Sequence, residues 1–212
     1  MEIISAFGEY YGSCKYENSI YFYKSIFDRF CHSYEMSYES LVKELNIGIS
    51  VKELCKDFEL LYIPTPYKII ENNKHDLGGE YSLLTEYIKN MIPLHKIVSY
   101  DERNIDIKLC KDNFMIIESI ANCIEYLHNK NIVHGDLNFS NIQIFIPSHD
   151  INNNIIGKEY KIVIIDWESG KISTDNNNDD WMLLYYMFDI VDTSTYNKNT
   201  FLKHIKEKCG IE

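Results

Sequence analysis

The run His134-Gly135-Asp136-Leu137-Asn138-Phe139-Ser140-Asn141 sets a histidine, a carboxylate and a carboxamide in an H-x-D-x-x-x-x-N pattern between two apolar stretches. Ionisable groups at such a junction are costly to bury unless they are paired or meet a ligand. Further carboxylates accompany them. Asp166 ends the apolar run Ile162-Val163-Ile164-Ile165, and Asp179 and Asp180 open an amphipathic stretch with Trp181, Leu184, Tyr185 and Phe188 on one face. Asp136, Asn141 and Asp166 together suit phosphoryl transfer. A nucleotide's polyphosphate needs hard oxygen ligands for Mg2+, which Asp166 and the Asn141 side-chain oxygen can supply. A hydroxyl nucleophile needs a carboxylate to orient it and take its proton, a role open to Asp136. His134 and Asp136 also read as hydrolase metal ligands or as a hydrogen-bonded loop pair. Those readings leave the spacing to Asn141 and the strand-terminal Asp166 unexplained.

The flanking elements must hold these groups. Ile116, Ile120, Cys123, Ile124 and Leu127 form one apolar stripe, which predicts a helix over 114–128 leading into the loop. Ile142, Ile144 and Ile146 alternate with Gln143 and Phe145, which predicts a strand leading out, and 160–166 reads as a second strand. The N-terminal part reads as a hairpin over about 3–27, followed by helical stretches at 37–49 and 50–62. Ser50 and Glu53 have the spacing of a capping box for the second of these. Pro64 and Pro66 force an extended entry into a strand, and 80–88 reads as a further strand. A final short helix is expected in the tail. The chain is therefore α+β: a mostly β part, 1–88, and a mostly α part, 89–212, joined near 86–90. Such an order predicts two lobes with a cleft where ligands bind.

Composition narrows the function classes. At 212 residues and 45% hydrophobic, the chain can bury a real core. No window is apolar enough for a membrane span, and the N-terminus lacks the pattern of a secretory signal. The six cysteines are scattered without a C-x-x-C pair, which predicts reduced thiols in the cytoplasm rather than structural zinc. A net charge of −11 argues against direct nucleic-acid binding. The expected partners are a nucleotide and a protein, with no membrane. The Asn runs at 152–154 and 176–178 read as loops.

The quoted residues resemble the protein-kinase-like superfamily. "YLHNKNIVHGDLNFSNI" resembles its helix and catalytic loop, "IIDWE" its metal-binding aspartate, "DDWMLLYYMF" the start of its central C-lobe helix, and "EYSLLTEYI" its fifth strand and hinge. The resemblance implies a two-lobed fold using ATP and Mg2+. It implies Asp136 as catalytic base with His134 structural beside it, and Asn141 and Asp166 as Mg2+ ligands. Asp179 would hold the loop backbone, with Asp180 as the alternative register. Lys24 would contact the α- and β-phosphates and pair with Glu53, with Glu44 as competitor. Gly8 and Gly12 would belong to the phosphate-covering loop, and Glu86 to the nucleotide-binding hinge.

Other readings stand beside these. Lys24 also fits a solvent-facing strand residue, Glu53 a capping glutamate, the two glycines plain turns, His128 a helix end and Trp181 the core.

The departures are informative. The glycine pattern is G-x-x-x-G, Gly135 stands where regulated protein kinases carry arginine, and Trp167-Glu168 replaces Phe-Gly. Only about a dozen residues separate Asp166 from Asp179, and about 13 residues at 147–159 are inserted between the two strands of the metal-binding loop. H-G-D with so short a segment is similar to the RIO kinases and the kinase subunit of the KEOPS tRNA-modification complex, which implies an atypical serine/threonine protein kinase. The same residues resemble aminoglycoside and choline kinases, which implies a small-molecule kinase instead. A non-catalytic kinase-like binding module is the third reading.

Overall fold

The computed structural model describes residues 2–6, 11–26, 38–72, 80–98, 109–147, 159–173, 179–191 and 195–211. In chain order the elements are β1 (Glu2–Ala6), β2 (Tyr11–Tyr16), β3 (Ser19–Ile26), α1 (Tyr38–Leu54), β4 (Leu61–Tyr62), β5 (Pro66–Glu71), β6 (Tyr81–Glu86), β7 (Met91–Pro93), α2 (Leu94–Ile97), α3 (Lys111–Asn129), β8 (Ile132–Val133), β9 (Ile142–Phe145), β10 (Lys161–Ile164), β11 (Lys171–Ile172), α4 (Asp179–Met187) and α5 (Lys198–Lys208). They fall into two units. The first comprises 1–53 and 63–89, the second 54–62 and 90–212. The fold is α+β, with a β-rich N-terminal sheet and a helical C-terminal part, as the sequence predicts.

The first unit is a five-stranded sheet in the order β1-β2-β3-β6-β5 with α1. The predicted hairpin is the centre of a three-stranded meander. Its β2–β3 turn is Glu17-Asn18, with φ of 47° and 67°, the doubly left-handed geometry that suits the twist of a two-residue hairpin. On one face Cys14, Tyr23 and Leu84 form a buried cluster. On another, Leu83 packs with Leu41 of α1.

Of the two helical stretches expected at 37–49 and 50–62, the first runs on into the second as far as Leu54 to form one helix, α1, while 55–60 is not helical and Leu61–Tyr62 is strand β4; Ser50 is no N-cap. Its hydroxyl donates back to the Asn46 carbonyl at 2.9 Å, inside the helix. The helix runs through Gly48, which faces Pro66 where a Cβ would stand only 3.0 Å from the ring Cγ.

The second unit carries a four-stranded sheet, β4-β10-β9-β7, and the two-stranded β11-β8. Strand β4 pairs parallel with β10, Leu61 opposite Ile162, which places 54–62 with this unit and not with the sequence that precedes it. The predicted stripe of α3 is its buried face: Ile116, Ile120, Cys123, Ile124 and Leu127 are all shielded. Each such apolar side chain contributes about 1.5–3 kcal/mol on burial. Trp181, Leu184, Tyr185 and Phe188 are buried as predicted, and Phe201 and Ile205 of α5 join them. Among the described residues no helix is long and apolar enough to cross a membrane.

Candidate active site

Helix α3 stops at Lys130, Asn131 turns at φ 60°, and β8 delivers the chain to His134. The loop that follows is held from below by Asp180, not Asp179. The Asp180 carboxylate accepts from the backbone N–H of His134 at 2.9 Å and of Gly135 at 2.8 Å, and lies 3.0 Å from His128 Nε2. Burial alone raises its pKa. The hydrogen bonds from His128, Gly135 and His134, with the charge of His128, outweigh burial and hold the carboxyl below the ordinary aspartate range. Asp179 is one residue too early on α4: it is partly exposed and stands 3.8 Å from Lys171. His128 caps no backbone; it is the side-chain partner of Asp180, edge-on to Trp181 with ring centroids 6.0 Å apart.

His134 is fully buried and both ring nitrogens are used. Nε2 lies 2.9 Å from the Ile165 carbonyl, and Nδ1 accepts from the Asp136 N–H at 3.2 Å. This pair of contacts selects the tautomer with the proton on Nε2. Trp167 packs edge-on against the ring at 4.7 Å, with its indole N–H donating to the Ile164 carbonyl. His134 therefore ties the loop to the end of β10.

Asp136 is exposed. The Asn141 carboxamide donates to its carbonyl at 2.9 Å and its carboxylate at 3.2 Å, leaving the Asn141 Oδ1 free of these contacts. Strand register brings the third residue to the same end. Ile142 pairs with Ile164 across β9 and β10, and the Ile165 N–H donates to the Asn141 carbonyl at 3.1 Å. Asp166 is the next residue. Its backbone is left-handed, φ 66° and ψ 66°, a conformation that costs most non-glycine residues something and that aspartate and asparagine adopt more readily than others.

Beyond Asp166 a single turn of 3-10 helix (Trp167–Ser169) leads directly into β11, which pairs antiparallel with β8 beside the loop. Gly135 permits this close return. Its φ is +79°, and a Cβ there would lie 2.9 Å from the Ser169 carbonyl oxygen. The inserted segment lies outside the described residues, apart from its ends.

In the first unit, Lys24 of β3 pairs with Glu44 of α1 at 3.0 Å, and both are largely buried. Glu53 is not that partner. It lies nine residues further on, about 13 Å along the axis at 1.5 Å per residue, on an exposed position of the last turn. Gly12 lies within β2, opposite Ala6 and Tyr23, and not in a loop. Gly8 lies outside the described residues. The Glu86 carboxylate accepts from the Thr65 N–H and hydroxyl at 3.0 and 2.8 Å and stands 3.6 Å from Lys52, so it fixes the end of β6.

The family model described as lipopolysaccharide kinase (Kdo/WaaP) family matches residues 9–203. The chain belongs to the lipopolysaccharide kinase (Kdo/WaaP) family. Among solved structures, one of WaaP in complex with acyl carrier protein covers 98% of this chain and 78% of its own, with a TM-score of 0.55 and 11% identity, a likeness of fold. A search of curated protein sequences finds no match.

Family membership places the chain among ATP-dependent kinases with a protein-kinase-like fold. It does not single out the RIO or KEOPS-complex kinases, nor a serine/threonine protein substrate. Two residues that shape this kinase's loop are not evident from motif reading. His128 carries a helix-end signal but no sign of its acidic partner. Asn138 carries only a general signal: a loop asparagine can accept from the backbone N–H two residues on, as in an Asx turn.

Proposed function

We propose that the chain is an ATP- and Mg2+-dependent phosphotransferase acting on a hydroxyl of a lipopolysaccharide sugar or a similarly small polyhydroxylated acceptor. The observation that carries this reading is the register of β9 against β10, which brings Asn141 beside the residue that precedes Asp166, while Asn141 also grips Asp136. Asp136 orients the acceptor hydroxyl and takes its proton. The Asn141 Oδ1 and the Asp166 carboxylate are hard oxygen donors of the kind Mg2+ selects. Bound there, the cation would offset the charge of the transferring phosphate. Within the first unit, Lys24, held by Glu44, is the candidate cation for phosphate.

Family membership supports a sugar acceptor, and so does the segment after Asp166. It is drawn at once into the β11–β8 ladder, which leaves little chain for docking an extended peptide. The solved WaaP complex supports a protein partner, with acyl carrier protein the first to try by co-elution.

The test is transfer of labelled phosphate from Mg2+-ATP to lipopolysaccharide, to free sugars and amino-alcohols, and to generic protein substrates, with Asp136→Asn as control. Labelled lipopolysaccharide or sugar, absent with the control, is expected. Label on protein serine or threonine alone would overturn the acceptor class. No transfer and no Mg2+-dependent nucleotide binding would favour a non-catalytic module.

A further inference from the structure

Asn138 sits between the two residues to which the proposed function gives the chemistry, and its side chain is committed at both ends. Its Oδ1 accepts from the backbone N–H of Ser140 at 2.9 Å and of Asn141 at 3.0 Å. Its Nδ2 donates to the Asp136 carbonyl at 3.3 Å, the same oxygen that the Asn141 carboxamide reaches at 2.9 Å. The orientation of the amide is fixed, because the reverse would set an NH2 group against two N–H donors. The Asn138 carbonyl closes the turn by accepting from Asn141 and Ile142 at 3.2 and 3.3 Å.

We propose that Asn138 is a positioning residue that locks the spacing between Asp136 and Asn141, and that its amide takes no part in binding phosphate. The loop between base and carboxamide has no regular ladder of its own until β9 begins at Ile142. A side chain that spans it supplies the rigidity that a positioned base and a metal-binding oxygen require. One N–H of the amide is aimed at the loop backbone and its oxygen is taken by two backbone N–H groups, so its contacts account for a positioning role without a phosphate.

This inference rests on the kinase reading of Asp136 and Asn141, and two variants separate it from the obvious rival. Asn138→Asp keeps an acceptor for both backbone N–H groups, but it introduces negative charge and turns an oxygen toward the Asp136 carbonyl in place of the amide donor. Asn138→Ala keeps neither contact. A positioning role predicts that Asn138→Ala lowers kcat by roughly 10–100-fold and raises the Mg2+ concentration for half-activation, while Asn138→Asp, which keeps the Ser140 and Asn141 contacts and loses only the one to the Asp136 carbonyl, falls less than Asn138→Ala. A phosphate-binding role predicts the opposite order, because a carboxylate repels phosphate more than a methyl group does; that order overturns the proposal.

Amide hydrogen exchange at Ser140 and Asn141 gives a second readout that needs no turnover. Protection should fall in Asn138→Ala and persist in Asn138→Asp. Unchanged protection in Asn138→Ala would also overturn the proposal. Should exchange follow the expected pattern while the parent transfers no phosphate, the kinase reading fails and the positional role of Asn138 in the loop stands.

Discussion

Asp136 and Asp180 are both carboxylates of the same loop region, and their surroundings assign them different work. Asp136 is exposed and held through its own backbone and Asn141, leaving carboxylate oxygen for a hydroxyl. Asp180 is buried with all its contacts internal. Replacing Asp136 with alanine should lower phosphate transfer by roughly 10²–10⁴-fold, the size of a lost general base, with little change in melting temperature. Initial-rate kinetics beside a thermal melt checks both halves. Asp180→Asn should do the reverse in emphasis. It leaves one of two buried N–H donors facing an NH2 group and costs about 1–3 kcal/mol of stability, read from the urea midpoint. The aspartate pair at 179–180 shows why the sequence alone leaves the register open. Both residues are acidic, adjacent and at a helix start, and only burial separates them.

At the scale of elements, the loop's shape depends on how closely the chain returns to it after β10. Gly135 meets the Ser169 carbonyl with no room for a Cβ, on a backbone that L side chains rarely adopt. Gly135→Ala should therefore destabilise by about 1–3 kcal/mol and reduce activity more than its distance from the reacting atoms suggests, because the Gly135 N–H is also Asp180's partner. Urea titration and kinetics on one preparation test this.

The helix α3 and the strands β9 and β10 were legible in the sequence because their apolar periods match their burial. Helix α1 was not. Gly48 and Ser50 resemble a break and a new cap, yet Gly48 makes room for Pro66, remote in sequence, and the Ser50 hydroxyl bonds back within the helix. The glutamate partner of Lys24 was ambiguous for the same reason. Glu44 and Glu53 occupy one helix, and the choice depends on which turn faces β3.

For the molecule as a whole, the clearest handle is acid. The Asp180 carboxyl is held below its ordinary range, so the folded state binds its proton less readily than the unfolded chain. Its contribution to stability is complete above the unfolded value of about 4 and is lost as pH falls through the lowered folded value. Melting temperature should fall on acidification below about pH 4, and the gap between the parent and Asp180→Asn should narrow over that interval. A gap that stays constant would remove Asp180 from the acid response.

The chain has two tryptophans, and each lies edge-on to a histidine that holds the loop: Trp167 to His134 and Trp181 to His128. Indole emission shifts to longer wavelength on wetting. The molecule's intrinsic fluorescence is therefore an optical gauge of this one loop, readable without a dye, and Trp181→Phe would leave a signal that belongs to the His134 side alone.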